Sequence, residues 1–339
     1  AIIQFKVEGQ TIMAHPEYKL DHRLLLDKID FENGTVNCYG ETYPIKDVNL
    51  PTIDPKDPYR LTPEEEQVMV ALEASIVNSA KLQEHINFLY SHGSLFTTCN
   101  GNLLFHGCIP FTEDGDFMEV TIGGKTNHGA ALMKQLDHSL REAYFNPGEG
   151  VDKADAANLM WYLWLGPDSP LFGKDKMTTF ERLFIEDKAT HKEHTVPYYK
   201  LINDKDICIK IIRDFDLDPT KGIILNGHVP VKIKDGESPI KGEGKLIVID
   251  GGISKAYQKT TGIAGYTFIF NSWFMALSEH EPYHPLQPDG TQEFNNPNIV
   301  TTMTLPERML IIDTDIGKLL QSQIDDLLQL NAEFRKGAI

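Results

Sequence analysis

Two apolar runs in this chain end alike. Leu103-Leu104-Phe105 runs into His106-Gly107, and Ile223-Ile224-Leu225 runs into Asn226-Gly227-His228. Short runs without alternating polar positions, bounded by turn residues, predict strands covered on both faces. In open α/β sheets, ligands bind just beyond the carboxyl ends of such strands. That makes His106 and His228 the first candidate site residues. The glycines beside them let the backbone turn sharply and approach a ligand closely. Two further runs, 245–250 before Gly251-Gly252 and 265–271, predict a third and a fourth strand of the same sheet.

Elsewhere the pattern changes period. Asn33-Gly34 and Gly40-Glu41 are turn signals around residues 35–39 and 42–45, which predicts a small antiparallel insertion near the N-terminus. Thr62-Pro63-Glu64-Glu65-Glu66 is a helix start, with a capping hydroxyl, a first-turn proline and acids that suit the helix dipole. Met69, Leu72, Ile76, Ala80 and Leu82 follow at helical spacing, so one helix is expected to about Tyr90 with this stripe in the core. Asn100-Gly101-Asn102 predicts a hairpin that delivers His106 from its second strand. A short strand over 118–122 and helices over 128–145, from Thr178, over 207–215 and over 315–334 complete the reading. The last is amphipathic through Ile316, Leu319, Leu320, Ile324, Leu327 and Leu328, and is expected to pack on the body or on another subunit. Three parts are expected: 1–60 with the insertion, 61–275 as the main domain, and 276–339 as an extension.

Composition narrows the function classes. The 339 residues, 41% hydrophobic and 24% charged, suit a globular chain. No apolar stretch reaches the ~18 residues that a membrane span needs, and the first residues lack a signal-peptide pattern. A formal net charge of −17 argues against nucleic acid as a partner. An anionic small substrate would need local cations or a metal. The four cysteines form no Cys-x-x-Cys pair, and Cys108 reads as a small buried residue rather than a catalytic thiol. Reduced thiols point to the cytoplasm. The aromatic stretch from Met160 to Trp164 reads as core or interface, with sugar stacking as its alternative. His191 and His194, three apart, read as a solvated polar face with ligand spacing as the alternative.

Longer strings carry a family resemblance. Asn226-Gly227-His228-Val229-Pro230-Val231-Lys232 resembles the last metal-binding motif of calcineurin-like metallophosphatases, usually Gly-His-x-His, and Leu104-Phe105-His106-Gly107 resembles their preceding single-His motif. The stretches 249–258, 260–267 and 101–110, with Trp161-Tyr162-Leu163-Trp164 and Met177-Thr178-Thr179-Phe180-Glu181-Arg182, resemble the class III bacterial fructose-1,6-bisphosphatases. The resemblance runs from about residue 2 to 275. Members are longer, and their first half carries Asp-x-His, Gly-Asp-x-x-Asp-Arg-Gly and Gly-Asn-His-Asp, none of which occurs here. The resemblance therefore implies the C-terminal half of such an enzyme.

The resemblance also implies a fold and a reaction. The fold is a partial metallophosphatase-like αββα sandwich, mixed β-sheets flanked by helices. The reaction is the gluconeogenic hydrolysis of the 1-phosphate of fructose 1,6-bisphosphate by a metal-activated water, with a binuclear centre of divalent metal, Mn²⁺ by preference. His106 and His228 are the implied metal ligands, and Pro230 stands where the motif's second His would be. Lys255, Lys232, Lys174 and Arg182 are the implied phosphate contacts, with Tyr257 and Gln258 on the sugar. Asp250 either orients a ligand His or caps the Gly251-Gly252 turn. The expected partners are the sugar bisphosphate, the enzyme's N-terminal half and a second copy of the chain. Two other readings compete: a metallophosphatase for another phosphoester such as a phosphoprotein, and a non-catalytic regulatory or assembly module.

Overall fold

The computed structural model describes residues 1–145, 153–250, 252, 254–262, 265–281, 298–305 and 307–337. The chain opens with α1 (Ile2–Ala14). Strands β1 (Ile29–Asp30), β2 (Thr35–Cys38) and β3 (Glu41–Pro44) form the expected antiparallel insertion. Helices α2 (Pro63–Val77) and α3 (Ala80–His92) follow. Next come the hairpin β4 (Phe96–Cys99) and β5 (Asn102–Phe105), then a second hairpin, β6 (Val120–Ile122) and β7 (Lys125–Asn127). Helices α4 (Gly129–Phe145), α5 (Lys153–Leu165), α6 (Thr179–Phe184), α7 (Tyr198–Leu201) and α8 (Lys205–Asp214) lead to β8 (Ile224–Asn226). Then β9 (Ile240–Lys241), β10 (Leu246–Val248), α9 (Lys255–Thr261), β11 (Gly265–Phe270), β12 (Phe274–His280), β13 (Asn298–Thr304) and α10 (Asp315–Arg335) close the chain.

Packing divides the chain into two units, residues 1–95 with 108–198, and residues 96–107 with 199–339. That division differs from cuts at residues 60 and 275. The hairpin β4–β5 joins its unit through β-pairing with a strand more than a hundred residues away, which a linear reading cannot anticipate.

In the first unit, α2 starts as its sequence requires. Thr62 Oγ1 accepts from the Glu65 N–H at 3.3 Å, and the Glu65 carboxylate accepts from the Thr62 N–H at 2.9 Å. The same carboxylate takes Lys6 Nζ at 2.7 Å, and Lys6 is fully buried. The single helix expected to about Tyr90 is in fact two. It breaks at Asn78-Ser79, where the Ser79 hydroxyl caps α3 by accepting from the Leu82 N–H. Side chains of this kind compete for backbone groups and favour caps over helix interiors. The stripe expected in the core is also corrected, since Leu72, Ile76 and Leu82 are exposed. Helical spacing shows that a face is apolar; it does not show what that face meets. In the aromatic stretch, Tyr162 and Leu163 are buried and Trp164 is exposed. His191 and His194 lie in a loop. His191 Nε2 bonds the Glu181 and Ile185 carbonyls, and His194 pairs with Asp175.

In the second unit, a five-stranded sheet has the order β4-β5-β8-β10-β9. β5 and β10 both run parallel to β8, with Leu103 and Leu246 on either side of Ile224. The Asn100-Gly101 turn closes the β4–β5 hairpin with positive φ at both residues, 50° and 79°. That is the conformation a two-residue hairpin of this twist needs. The fourth run is not in this sheet. β11 pairs with β12 and β12 with β13 in a separate antiparallel sheet. The two sheets share one apolar cluster, in which Ile223, Leu225 and Ile247 meet Met275 and Leu277. α8 buries Cys208, Ile211 and Ile212. Beyond it, Phe215 meets Phe96 edge to face. Of the two places expected for the apolar face of α10, the body or another subunit, the body is not the one it meets, for the face is exposed in this chain. The helix is fixed at its start, where Asn100 and Asp315 exchange hydrogen bonds of 2.6 and 3.0 Å. No helix of the described residues is long and apolar enough to cross a membrane.

Candidate active site

Parallel pairing fixes the site. Phe105 lies opposite Asn226, so β5 and β8 end at the same edge of the sheet. The next residue of the first strand is His106, and His228 lies two residues beyond the end of the second. Their rings meet, with His106 Nε2 3.0 Å from His228 Nδ1, centroids 4.9 Å apart and planes at 80°. Backbone geometry aims the second ring, because His228 has φ 70°, a left-handed conformation unusual for a side chain of this size.

Both strand ends are tied together beneath the rings. The Gly227 N–H donates to the His106 carbonyl at 3.0 Å. Asn226, buried, donates Nδ2 to the carbonyls of His106 at 3.0 Å and Gly107 at 2.7 Å, and more weakly to that of Phe105. β10 ends at the same edge and leads to Asp250. Asp250 Oδ1 accepts from the Gly252 N–H at 2.8 Å, and its carbonyl accepts from the Val231 N–H at 2.9 Å. Of the two roles open to Asp250, the structure displays the turn cap.

Partial burial lowers the pKa of His106, and the neighbouring His228 lowers it further; the Asp250 charge opposes both. That direction favours the neutral form, the form in which an imidazole binds a metal. Two nitrogens 3.0 Å apart can occupy adjacent corners around one ion whose N-ligand bonds are about 2.0–2.2 Å. The pair thus fits two positions of a mixed N/O site. No cluster of three or more His, Cys, Asp or Glu among the described residues could hold an ion.

The implied phosphate contacts fall into both units. Lys232 is exposed on the loop that leaves β8. Lys255, Tyr257 and Gln258 lie in α9, and their side chains fall outside the described residues. Lys174 and Arg182 belong to the other unit. There Lys174 Nζ bonds Glu193 at 2.7 Å, while Arg182 donates to Thr178 Oγ1 and the His191 carbonyl and approaches Glu193 at 3.6 Å. Sequence reasoning missed Asn226 as a functional side chain. Its place directly before Gly227-His228 was visible, but its three carbonyl partners lie at and just beyond the end of a distant strand.

The site defines an α/β protein with paired imidazoles at the ends of adjacent parallel strands. The chain belongs to the family described as Firmicute fructose-1,6-bisphosphatase, whose model matches residues 1–336. It is 51% identical to the class 3 fructose-1,6-bisphosphatase of Clostridium tetani over 341 residues, 100% of this chain and 51% of that protein. With the protein of the same description from Clostridium novyi it is 48% identical over 343 residues, again 100% of this chain and 51% of the relative. The one from Clostridioides difficile gives the same figures, 48% over 343 residues. The chain thus spans about half the length of the curated relatives it matches. No solved structure matches it significantly. The family match passes residue 275 and takes in the C-terminal extension, which corrects the expected limit of the resemblance. Placement of the chain as specifically the C-terminal part of a longer protein gains no support from these comparisons.

Proposed function

We propose that this chain forms one wall of a phosphomonoesterase that removes the 1-phosphate from fructose 1,6-bisphosphate. The observation that carries the proposal is the His106–His228 pair, two imidazoles 3.0 Å apart at coincident strand ends. Family membership supplies the substrate class. In this reading the pair holds a divalent ion of a binuclear centre, and Mn²⁺ suits a mixed imidazole and oxygen donor set. Such an ion, when bound, polarises phosphoryl oxygens and makes hydroxide available near neutral pH. The chain's own residues orient and recognise. His106 presents its ring to the ion, Asp250 shapes the turn beside it, and Lys232 and Lys255 draw the phosphates, with Tyr257 and Gln258 on the sugar. Lys174 and Arg182 are left out because Glu193 already engages both.

The remaining ligands and the nucleophile-handling groups would come from polypeptide of the kind that the longer relatives possess. The two sheets that share the Leu225–Ile247–Met275–Leu277 cluster are the natural centre of a partial αββα sandwich. Free thiols at all four cysteines agree with a cytoplasmic setting.

The test is phosphate release with Mn²⁺ from fructose 1,6-bisphosphate, other sugar phosphates and a phosphoprotein, by this chain within its complete protein. Preference for the bisphosphate supports the proposal, and preference for the phosphoprotein overturns its substrate. A second reading, an assembly module, draws on the exposed apolar face of α10, where Leu319, Leu327 and Leu328 face outward. Failure to bind Mn²⁺ in the same protein would favour it.

A further inference from the structure

The mechanism proposed above leaves Asn226 without a chemical role, yet its environment is unusual. It is 1% exposed. Its Nδ2 serves the carbonyls of Phe105, His106 and Gly107 at 3.4, 3.0 and 2.7 Å. Its Oδ1 is buried and has no hydrogen-bond partner among the described residues. A buried, unpaired acceptor is unfavourable. The amide cannot turn over to relieve it, because Oδ1 would then face three carbonyl oxygens. An apolar residue of similar shape would remove the unpaired atom, but it would also remove the Nδ2 donor that those three carbonyls share.

We propose that Asn226 is the positioning residue of the imidazole pair: it fixes the direction of the chain through Phe105, His106 and Gly107, and so the approach of the His106 ring to His228. The proposal rests on the reading of the pair as a functional site. Three links act together. The Asn226 side chain holds residues 105–107. The Gly227 N–H adds a second donor to the His106 carbonyl. The left-handed turn at His228 then returns the second ring onto the first. One tripeptide thus grips the first strand end and supplies its partner ring. Asn226 touches neither substrate nor ion in this scheme and acts through His106.

The experiment uses histidine labelled with ¹⁵N. In the unaltered protein, a nitrogen–nitrogen coupling across the hydrogen bond should connect His106 Nε2 and His228 Nδ1, and the Asn226 side-chain amide protons should exchange slowly. Asn226→Leu and Asn226→Asp should abolish the ring coupling while amide protection at Leu103, Ile224 and Ile247 persists. Asn226→Gln, which keeps the amide, should restore part of it. Variants with protected strands and intact ring coupling would overturn the proposal. Should the variants fail to fold, the unaltered protein still decides: fast exchange of the Asn226 amide protons overturns the proposal. Added Mn²⁺ tests the pair separately. Ring coupling without Mn²⁺-induced broadening of the His106 and His228 signals would overturn the metal reading and leave the positioning role supported.

Discussion

His106 Nε2 and His228 Nδ1 stand 3.0 Å apart although 122 positions separate the residues in the chain. Parallel pairing of β5 with β8 produces this meeting. A one-residue slip in register would turn Phe105 and Asn226 to opposite faces and separate the rings.

If the pair holds an ion, each ring contributes a separate bond. His106→Ala and His228→Ala should each weaken Mn²⁺ binding by at least about tenfold, since even outer-shell losses cost that much. Titration followed by the paramagnetic resonance of free Mn²⁺ checks this. Unchanged affinity in both variants would remove the pair from the metal site.

Close backbone approach just before β8 leaves no room for a side chain at Gly222. A Cβ there would lie 2.2 Å from the Gly101 carbonyl oxygen, which is backbone and cannot swing aside. Gly222→Ala should cost about 1–3 kcal/mol, the usual range for overpacking. Urea unfolding measures it, and stability within about 0.5 kcal/mol of the parent would refute the clash.

Glu193 predicts how the first unit responds to acid. Burial alone would raise its carboxyl pKa, but hydrogen bonds from Lys174 and from the backbone and hydroxyl of Thr178 outweigh it and hold the group at about 2, from an ordinary 4.5. Between those values the unfolded chain binds more protons than the folded one. The contribution is therefore fully present above pH 4.5 and is lost as pH falls toward 2. Solvent screening keeps it to the order of 1 kcal/mol. Stability measured from pH 6 to 3 should fall less steeply in Glu193→Gln than in the parent.

Lys6 and Glu65 form a buried pair at 2.7 Å with 0% and 8% of their side chains exposed. Lys6→Ala strands the carboxylate and should cost about 3–5 kcal/mol. Lys6→Met with Glu65→Gln should recover much of that. A double variant no more stable than Lys6→Ala, in chemical denaturation, would contradict this account.

Thiol reactivity should follow burial. Cys38, Cys108 and Cys208 are buried, and desolvation pushes their thiols up to about 11, 12 and 12. Cys99 is exposed. Native protein at pH 8 should therefore label first at Cys99 with a maleimide, as read by peptide mass. Early labelling at Cys108 would reopen its reading as a reactive thiol.

Much of the local structure was legible. Asn100-Gly101 announced its hairpin because few residue pairs accept positive φ twice, and Thr62-Pro63-Glu64-Glu65 announced α2 because a capping box is written in adjacent residues. The break at Asn78-Ser79 was less visible, since the apolar spacing continues through it. β11 looked like one more strand of the central sheet, because an apolar run does not name its neighbours. Lys174 and Arg182 stand in family-like strings, which do not show that Glu193 lies 2.7 and 3.6 Å from them in the folded chain.

The sequence by itself determined the element types near turns and caps, the family, and the two histidines worth watching. Those follow from interactions within a few residues or from long matching strings. Tertiary structure alone decided that the histidine rings touch, that Asn226 binds the opposite strand end, and that the apolar faces of α2, α3 and α10 stand exposed. Each of these depends on pairing or packing between distant segments, whose free energy is set by the register and neighbours that the folded chain selects, not by the residues on either side.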